Sequence, residues 1–439
     1  MTDVRRIVYD TLLLAEEGNA GNTLIKDVLD KYSYLDASER SFIKRLSEGV
    51  TERRITLDHV IDIYSKTPSS KMKRQIRTLI RMGAYQIIYM DGVADHAAVN
   101  ETVRLAKKAG FSGLAGFVNA VLRNIAGNRD DIPWPDRDAD TVRYLSVMYS
   151  CPEWIVKKLV DEEGGDRAET LLRLSVSIRP VTARVNLSKT SVDAVVSKGY
   201  ARASEICPAA VTLEDYDNIS LIPSFAEGDI CIQDISSMLV CLLAGIKKDD
   251  TVLDLCAAPG GKSLHAADMA PSGRIISCDV SEKKLAKIQE NIERCGFSNM
   301  ETHLADATVF DPALEGIADV VIADVPCSGL GVMGRKNDIK YNLTQDSIDS
   351  LVQIQRRILR NAASYVKSGG TLMFSTCTCS RAENHDNFSF LADECGLSPV
   401  GFYEDLPKKL RNETAGDGYI QLYGEDGLTD GFFIGKFKK

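Results

Sequence analysis

The sequence predicts a multi-domain chain: an all-α front end, a small α+β connecting part, and an α/β body on a doubly wound parallel sheet. Three observations carry this. Apolar residues such as Ile7, Leu12, Leu13 and Leu14 recur at helical spacing through residues 1–126, with few strand-type alternations. Residues 141–227 mix strand-like and helical runs. From Gly228 onward, five short apolar runs alternate with helical stretches, the pattern of a parallel sheet covered on both faces.

The front end opens from Met1 straight into an amphipathic helical pattern, with no apolar core of a signal peptide. Residues 70–90 are predicted helical. Arg74, Arg77 and Arg81 fall at i, i+3 and i+7 on one face, and Ile76, Leu79 and Ile80 on another. The arginine face reads either as a solvated polar surface or as an RNA contact. Residues 127–140 are polar, Pro-broken and aperiodic, hence a linker. In the connecting part, residues 181–186 and 211–214 read as strands, and Thr190-Ser191-Val192 as a helix start. The body, 228–439, should hold strands at 251–255, 274–278, 301–305, 320–323 and 371–375. The helix after the second of these has Ser281 as N-cap, Leu285, Ile288 and Ile292 as its apolar stripe, and Gly296 just past its end. Residues 419–422 and 432–437 read as a hairpin around 424–427.

At 439 residues, the chain is long enough for two or three cores. No apolar run approaches the roughly 20 residues of a membrane span. Eleven cysteines without CxxC spacing read as reduced thiols, which predicts a cytoplasmic protein. Five scattered histidines give no zinc pattern, so no metal is expected; nor is a membrane partner, and a monomer is. Net charge is −9, yet residues 1–130 carry 20 Lys and Arg against 16 Asp and Glu. A basic front end on an acidic body can bind RNA, because local potential decides the contact.

The first predicted strand of the body feeds Cys256-Ala257-Ala258-Pro259-Gly260-Gly261-Lys262 and then a helix. Such a turn lets backbone N–H groups approach a polar ligand closely. A P-loop would need glycine at Cys256, and GxGxxG is absent. Asp279 closes the second strand, where a carboxylate accepts ribose hydroxyls, and Asp306 closes the third, within reach of an adenine amino group. Each alone could be a turn residue; on three consecutive strand ends they predict a nucleoside cofactor.

Two later strand ends carry thiols: Cys327 in Asp324-Val325-Pro326-Cys327, and Cys377 in Ser375-Thr376-Cys377. Methylation of a pyrimidine at C5 needs this chemistry. A thiolate adds to C6, C5 becomes nucleophilic, and a second group assists release. Asp324, Cys327 and Cys377 supply the parts. Most other cysteines, including Cys241, Cys278 and Cys295, read as small buried hydrophobes.

The motifs AAPGGK, DVPCSG and STC followed by Glu383-Asn384 resemble those of the RNA cytosine-C5 methyltransferases, the Sun/Fmu (RsmB) and nucleolar-protein family. Residues 81–86, 96–101 and 116–123 are similar to the NusB-like RNA-binding domain of its bacterial type. Residues 149–154, 184–186 and 228–237 resemble its connecting subdomain. The resemblance implies a Rossmann-like methyltransferase fold, S-adenosylmethionine as cofactor, and one site in 16S rRNA as substrate, with tRNA as the rival. It assigns Cys256 to Lys262, Asp279 and Asp306 to the cofactor and places Asp324 between cofactor and base. It makes Cys377 the nucleophile and Cys327 the residue that assists release. DNA cytosine methyltransferases use the PC thiol instead, so Cys327 is the alternative nucleophile. Two positions depart from the pattern: Cys379, where an aliphatic residue is more usual, and Asn337, where proline is. The resemblance also implies an RNA contact at Lys340.

Overall fold

The computed structural model describes residues 3–17, 21–214, 216, 218–425 and 427–439. The chain divides into two compact units, residues 1–176 with 333–342, and residues 177–332 with 343–439. Met1, where the opening helical pattern was expected to begin, and Asp426 of the expected hairpin turn lie outside the described residues.

The first unit contains only helices among its described residues. These are α1 (Val4–Ala15), α2 (Gly21–Lys31), α3 (Ala37–Glu52), α4 (Arg54–Tyr64), α5 (Arg74–Tyr89), α6 (Asp95–Lys108), α7 (Ala115–Gly127), α8 (Thr141–Tyr149), α9 (Glu153–Glu163) and α10 (Gly165–Leu174). Asp3 caps α1 by accepting from the Arg6 N–H, and Asp36 caps α3 through the Glu39 N–H. The apolar stripes converge on one core that includes Val8, Ile43, Leu46, Leu57, Leu79, Ile80 and Leu122, all fully buried. Ile7 and Leu12 join it, whereas Leu14 is largely exposed.

Three expectations change in this unit. Of the arginine face of α5 only Arg81 is buried; Arg74 and Arg77 are partly exposed and ion-paired. Arg81 is buried, with Nε and Nη2 donating to both oxygens of Asp58 at 2.7 and 2.6 Å and Nη1 donating to Glu16 at 2.7 Å. Arg74 pairs with Glu17 at 2.6 Å, and Arg77 lies 3.5 Å from Glu16. The linker is irregular as expected, but Ile132 is buried in the helical core and Trp134 stacks on His59. The boundary expected at 140 therefore falls inside the first unit, with α8 to α10 beyond it. Finally, residues 333–342, including α16 (Ile339–Asn342), belong here as well. The Tyr341 hydroxyl donates to the carbonyls of Glu52 and Ser150 at 3.0 Å each, and Arg54 lies over its ring. Lys340 is 1% exposed, its Nζ faces the Tyr149 carbonyl at 3.5 Å, and burial lowers its pKa to about 8. A lysine sequestered in this way is not presented to RNA, which corrects the inferred contact.

The second unit begins with a four-stranded antiparallel sheet. It is formed by β1 (Thr182–Val185), β2 (Ala201–Ala203), β3 (Ala210–Leu213) and β4 (Ile230–Ile232) in the order β2-β3-β1-β4. The short α11 (Val192–Val196) and α12 (Pro223–Ala226) connect its strands, and Ser191 caps α11 as its sequence suggests. Because β4 pairs with β1, residues 230–232 complete this sheet; the expected body boundary at 228 lies just before that strand.

The larger sheet has β5 (Thr251–Asp254), β6 (Arg274–Asp279), β7 (Met300–Leu304), β8 (Ala318–Asp324) and β9 (Val366–Thr376) all parallel, so each of the five expected strands is present. Antiparallel β10 (Ser398–Pro399), β11 (Tyr419–Tyr423) and β12 (Gly431–Lys438) complete it, and β11 with β12 forms the expected hairpin. The order β10-β12-β9-β8-β5-β6-β7 puts the reversal of chain direction between β5 and β8. Ligands of such sheets bind outside the strand ends at that switch point. The helices are α13 (Ile235–Ala244), α14 (Gly261–Met269), α15 (Glu282–Cys295), α17 (Gln345–Tyr365) and α18 (His385–Asp393). Gly296 ends α15 in the left-handed conformation, as predicted.

Candidate active site

The Rossmann-like body places a glycine-rich turn and two thiols at adjacent strand ends. β5 ends at Asp254, and the chain turns through residues 255–260 into α14. Gly260 has φ 104°, a conformation that L side chains rarely adopt. The turn lines a cleft of about 160 Å³ with Cys256, Ala257, Ala258, Pro259, Gly261 and Lys262. Asp324 closes one side, and Gln233, Asp234 and Ser237 close another.

Two buried acceptors in this cleft lack hydrogen-bond partners: Asp254 Oδ1 and Gln233 Oε1. Buried polar atoms are rarely left unpaired, so the cleft suits a ligand that brings N–H or O–H donors. Asp254 Oδ2 accepts from Ser263 Oγ at 2.6 Å, while burial raises the carboxyl pKa to about 6. Asp279 is buried beside the turn, accepting from the Ala258 N–H at 3.4 Å and the Ser281 N–H at 3.3 Å, with Lys284 Nζ at 3.4 Å. Asp306 stands apart. It is exposed, and its Oδ1 accepts from the Thr308 N–H and hydroxyl at 2.9 and 2.7 Å, which holds its pKa down. Its observed bonding is that of a turn residue.

Sequence reasoning missed Gln233 and Asp254 as cleft residues. Gln233 sits on the path from β4 into α13, which Asp234 caps through the Ser236 N–H. Nothing in local periodicity marks that connection as part of a site.

β8 and β9 are parallel neighbours with Asp324 in register with Ser375. The two motifs therefore leave the sheet side by side, and Cys327 Sγ and Cys377 Sγ are 3.3 Å apart. Asp324 is fixed through both oxygens: Lys262 Nζ donates to Oδ2 at 2.6 Å and Ser375 Oγ to Oδ1 at 2.7 Å. The hydrogen bond with Cys377, burial, and the nearby Glu383 and Asp324 hold the Cys327 thiol well above its ordinary pKa. Cys327 is thus kept protonated.

The other cysteines are separate from this pair. Cys379 is 1% exposed, with Gln421 Nε2 at 3.6 Å from its sulfur, so it does not share the opening. Cys241, Cys278 and Cys295 are buried, as small hydrophobes would be. Burial and the surrounding carboxylates push the Cys256 thiol far up, leaving it a wall residue of the turn. No group of three or more His, Cys, Asp or Glu able to hold a metal occurs among the described residues, and no described helix is long and apolar enough to cross a membrane.

Gly331 fixes the thiol turn from behind. Its N–H donates to the Cys377 carbonyl at 3.1 Å, and a Cβ on it would lie 2.0 Å from the Gly431 backbone oxygen. Backbone on both sides cannot yield without moving β12. Gly331→Ala is expected to lower unfolding free energy by about 1–3 kcal/mol, as overpacking does. A urea midpoint within error of wild type would show that the turn tolerates the methyl.

Comparison with known proteins gives concordant matches. The family described as 16S rRNA methyltransferase RsmB/F matches residues 241–438, and the NusB family matches residues 2–127. The probable ribosomal RNA small subunit methyltransferase B of Bacillus subtilis (strain 168) is 36% identical over 448 residues, covering 100% of this chain and 99% of that protein. Among solved structures, PH0851 aligns with a TM-score of 0.81 at 22% identity, covering 100% of this chain and 99% of the other. NSun6 from Pyrococcus horikoshii with SFG aligns with a TM-score of 0.56 at 22% identity, over 66% of this chain and 98% of that one. At these identities the structural likenesses speak to the fold alone.

Proposed function

We propose that this chain, which belongs to the RsmB/F family of 16S rRNA methyltransferases, methylates C5 of a cytosine in small-subunit rRNA through a covalent bond between Cys377 and C6. The observation that carries the reading is the thiol pair, 3.3 Å apart on neighbouring strand ends, with Asp324, three residues before Cys327, lining the cleft. S-Adenosylmethionine is the family's methyl donor, and when bound it supplies an electrophilic methyl group. The residues present fit it. Asp254 Oδ1 and Gln233 Oε1 offer unpaired acceptors to its donors, and Asp279, at the end of β6, is assigned to the ribose hydroxyls because a carboxylate at that strand end reads them in such sheets.

The thiols divide the work by protonation. Of two sulfurs in contact, one ionises at a time, and Cys327 is held as the thiol. The attack on C6, as a thiolate, is assigned to Cys377. Asp324 accepts a hydrogen bond from the exocyclic amine of the base. After methyl transfer, C5 loses its proton to a base, the C6–S bond breaks, and Cys327 can protonate the leaving Cys377 sulfur. The base must leave any stack to reach the pair, so the target lies in an exposed segment of the RNA.

The test is direct. Small-subunit rRNA incubated with the protein and methyl-labelled S-adenosylmethionine should yield 5-methylcytidine on digestion to nucleosides. N4-methylcytidine would overturn the chemistry, and label confined to tRNA would overturn the substrate. The cofactor assignment has its own measurement. Asp279→Ala should weaken S-adenosylmethionine binding by at least about tenfold by calorimetry, since a hydrogen bond to a charged acceptor contributes roughly 1.5–3 kcal/mol. An unchanged dissociation constant would remove Asp279 from the ribose.

A further inference from the structure

We infer that Glu383 is a positioning residue for the thiol pair: its carboxylate ties the turn carrying Cys327 to the turn carrying Cys377 and so sets which sulfur reacts. The inference rests on the covalent reading above, but its test uses neither RNA nor cofactor.

Glu383 is 0% exposed. A carboxylate is costly at that depth unless its oxygens are well bonded. Oε1 accepts from the Ser328 N–H at 2.8 Å and from Gln355 Nε2 at 3.0 Å. Oε2 accepts from Ser328 Oγ at 2.5 Å and from Thr378 Oγ1 at 3.4 Å. Ser328 directly follows Cys327, and Thr378 directly follows Cys377. One side chain therefore holds the residues after both thiols, whose hydroxyls are also 2.7 Å apart.

Neighbouring amides extend the clamp. Gln355 Nε2 also donates to the Pro326 carbonyl at 2.9 Å, gripping the residue before Cys327, and Gln355 Oε1 accepts from Asn387 at 2.8 Å. Asn384 accepts from Thr376 Oγ1 at 2.5 Å and donates to the Thr378 carbonyl at 2.9 Å, bracketing Cys377. None of these side chains lines the cofactor cleft. The network converges on the two thiol turns, which leave different strands and have no covalent reason to keep their sulfurs in contact. Misplacement of a reacting group by about 1 Å can cost roughly 10²-fold in rate. The charge adds a second effect. Together with Asp324, Glu383 disfavours a thiolate on Cys327.

The experiment is alkylation of the full-length protein by iodoacetamide, with the rates at Cys327 and Cys377 read separately by peptide mass spectrometry across neutral and alkaline pH. Wild type should react faster at Cys377. Glu383→Gln, which keeps the shape but removes the charge and one acceptor, should reduce the Cys377 to Cys327 rate ratio by roughly tenfold and shift the pH profile of Cys327 downward. Glu383→Asp should recover part of the ratio. Ser328→Ala, which removes one donor to the carboxylate and leaves the charge, should move the ratio the same way by less. It decides the matter should Glu383→Gln fail to fold. Ratios and profiles unchanged in the folded variants would overturn the inference, as would faster reaction at Cys327 in wild type. A product other than 5-methylcytidine with the ratios moving as stated would leave the positioning role standing and remove only the function proposed above.

Discussion

Cys377→Ala should remove methyl transfer and every covalent protein–RNA adduct, with a rate loss of roughly 10⁴–10⁶-fold, the scale seen when a covalent nucleophile is deleted. Without addition to C6, the C5 carbon remains too poor a nucleophile to accept a methyl group, so no partial route through the same site survives. Cys327→Ala should behave differently. The Cys377 sulfur can still attack, but the pair has lost the thiol that is held protonated 3.3 Å away. Bond formation should proceed and release should slow, leaving methylated RNA attached to protein. A denaturing gel with labelled RNA separates these results. An adduct in Cys377→Ala and none in Cys327→Ala would reverse the two roles; methylation intact in both, with no adduct, would remove the covalent route. Cys379 does not confuse the experiment, because its sulfur is buried beside Gln421 and Gly431.

What the sequence shows well is what depends on local pattern. Four of the five runs become the mostly buried parallel strands β5, β6, β8 and β9, because a strand buried on both faces must be largely apolar; β7, at the sheet edge, is not buried. Candidate site residues follow by position, since a doubly wound sheet presents its strand ends to ligands: Asp279 and Asp324 each end a strand, although Asp254, which ends β5 in the same way, was missed. What it shows poorly depends on pairing across sequence. The resemblance implies an RNA contact at Lys340, yet that residue is buried near Tyr149, 191 residues earlier. Gln233 enters the cleft only because β4 pairs with β1 and turns into α13 there. The boundary at 140 was drawn on composition, but Ile132 and the helices after it pack with the first unit. Spacing on one helix likewise says which side chains share a face and nothing about what opposes them.

Arg81 makes that last point measurable. Arg74 and Arg81 lie on one face of α5, and their substitution costs should differ by several fold. The Arg81 side chain is 6% exposed and donates to Asp58 through two parallel bonds and to Glu16 through a third. Its pKa is raised despite the opposing effect of burial, chiefly by the hydrogen bond to Asp58 and by the charges of Asp58 and Glu16. Arg81→Met would keep most of the stem packing, leave Asp58 without its partner and leave Glu16 with only Arg77 at 3.5 Å. Breaking such a pair typically costs about 3–5 kcal/mol, mostly through the partner left behind. Arg74 is 34% exposed against a Glu17 that is 49% exposed, and its pairing should contribute no more than about 1 kcal/mol. Denaturant unfolding of the full-length protein, followed by a probe in the first unit, should show a large shift for Arg81→Met and a small one for Arg74→Met. Asp58→Asn combined with Arg81→Met should cost less than the two changes summed, because the second removes part of what the first left uncompensated. Equal, small shifts at Arg74 and Arg81 would mean that α5 presents a solvated arginine face after all, and the RNA-contact reading of that face would regain its standing.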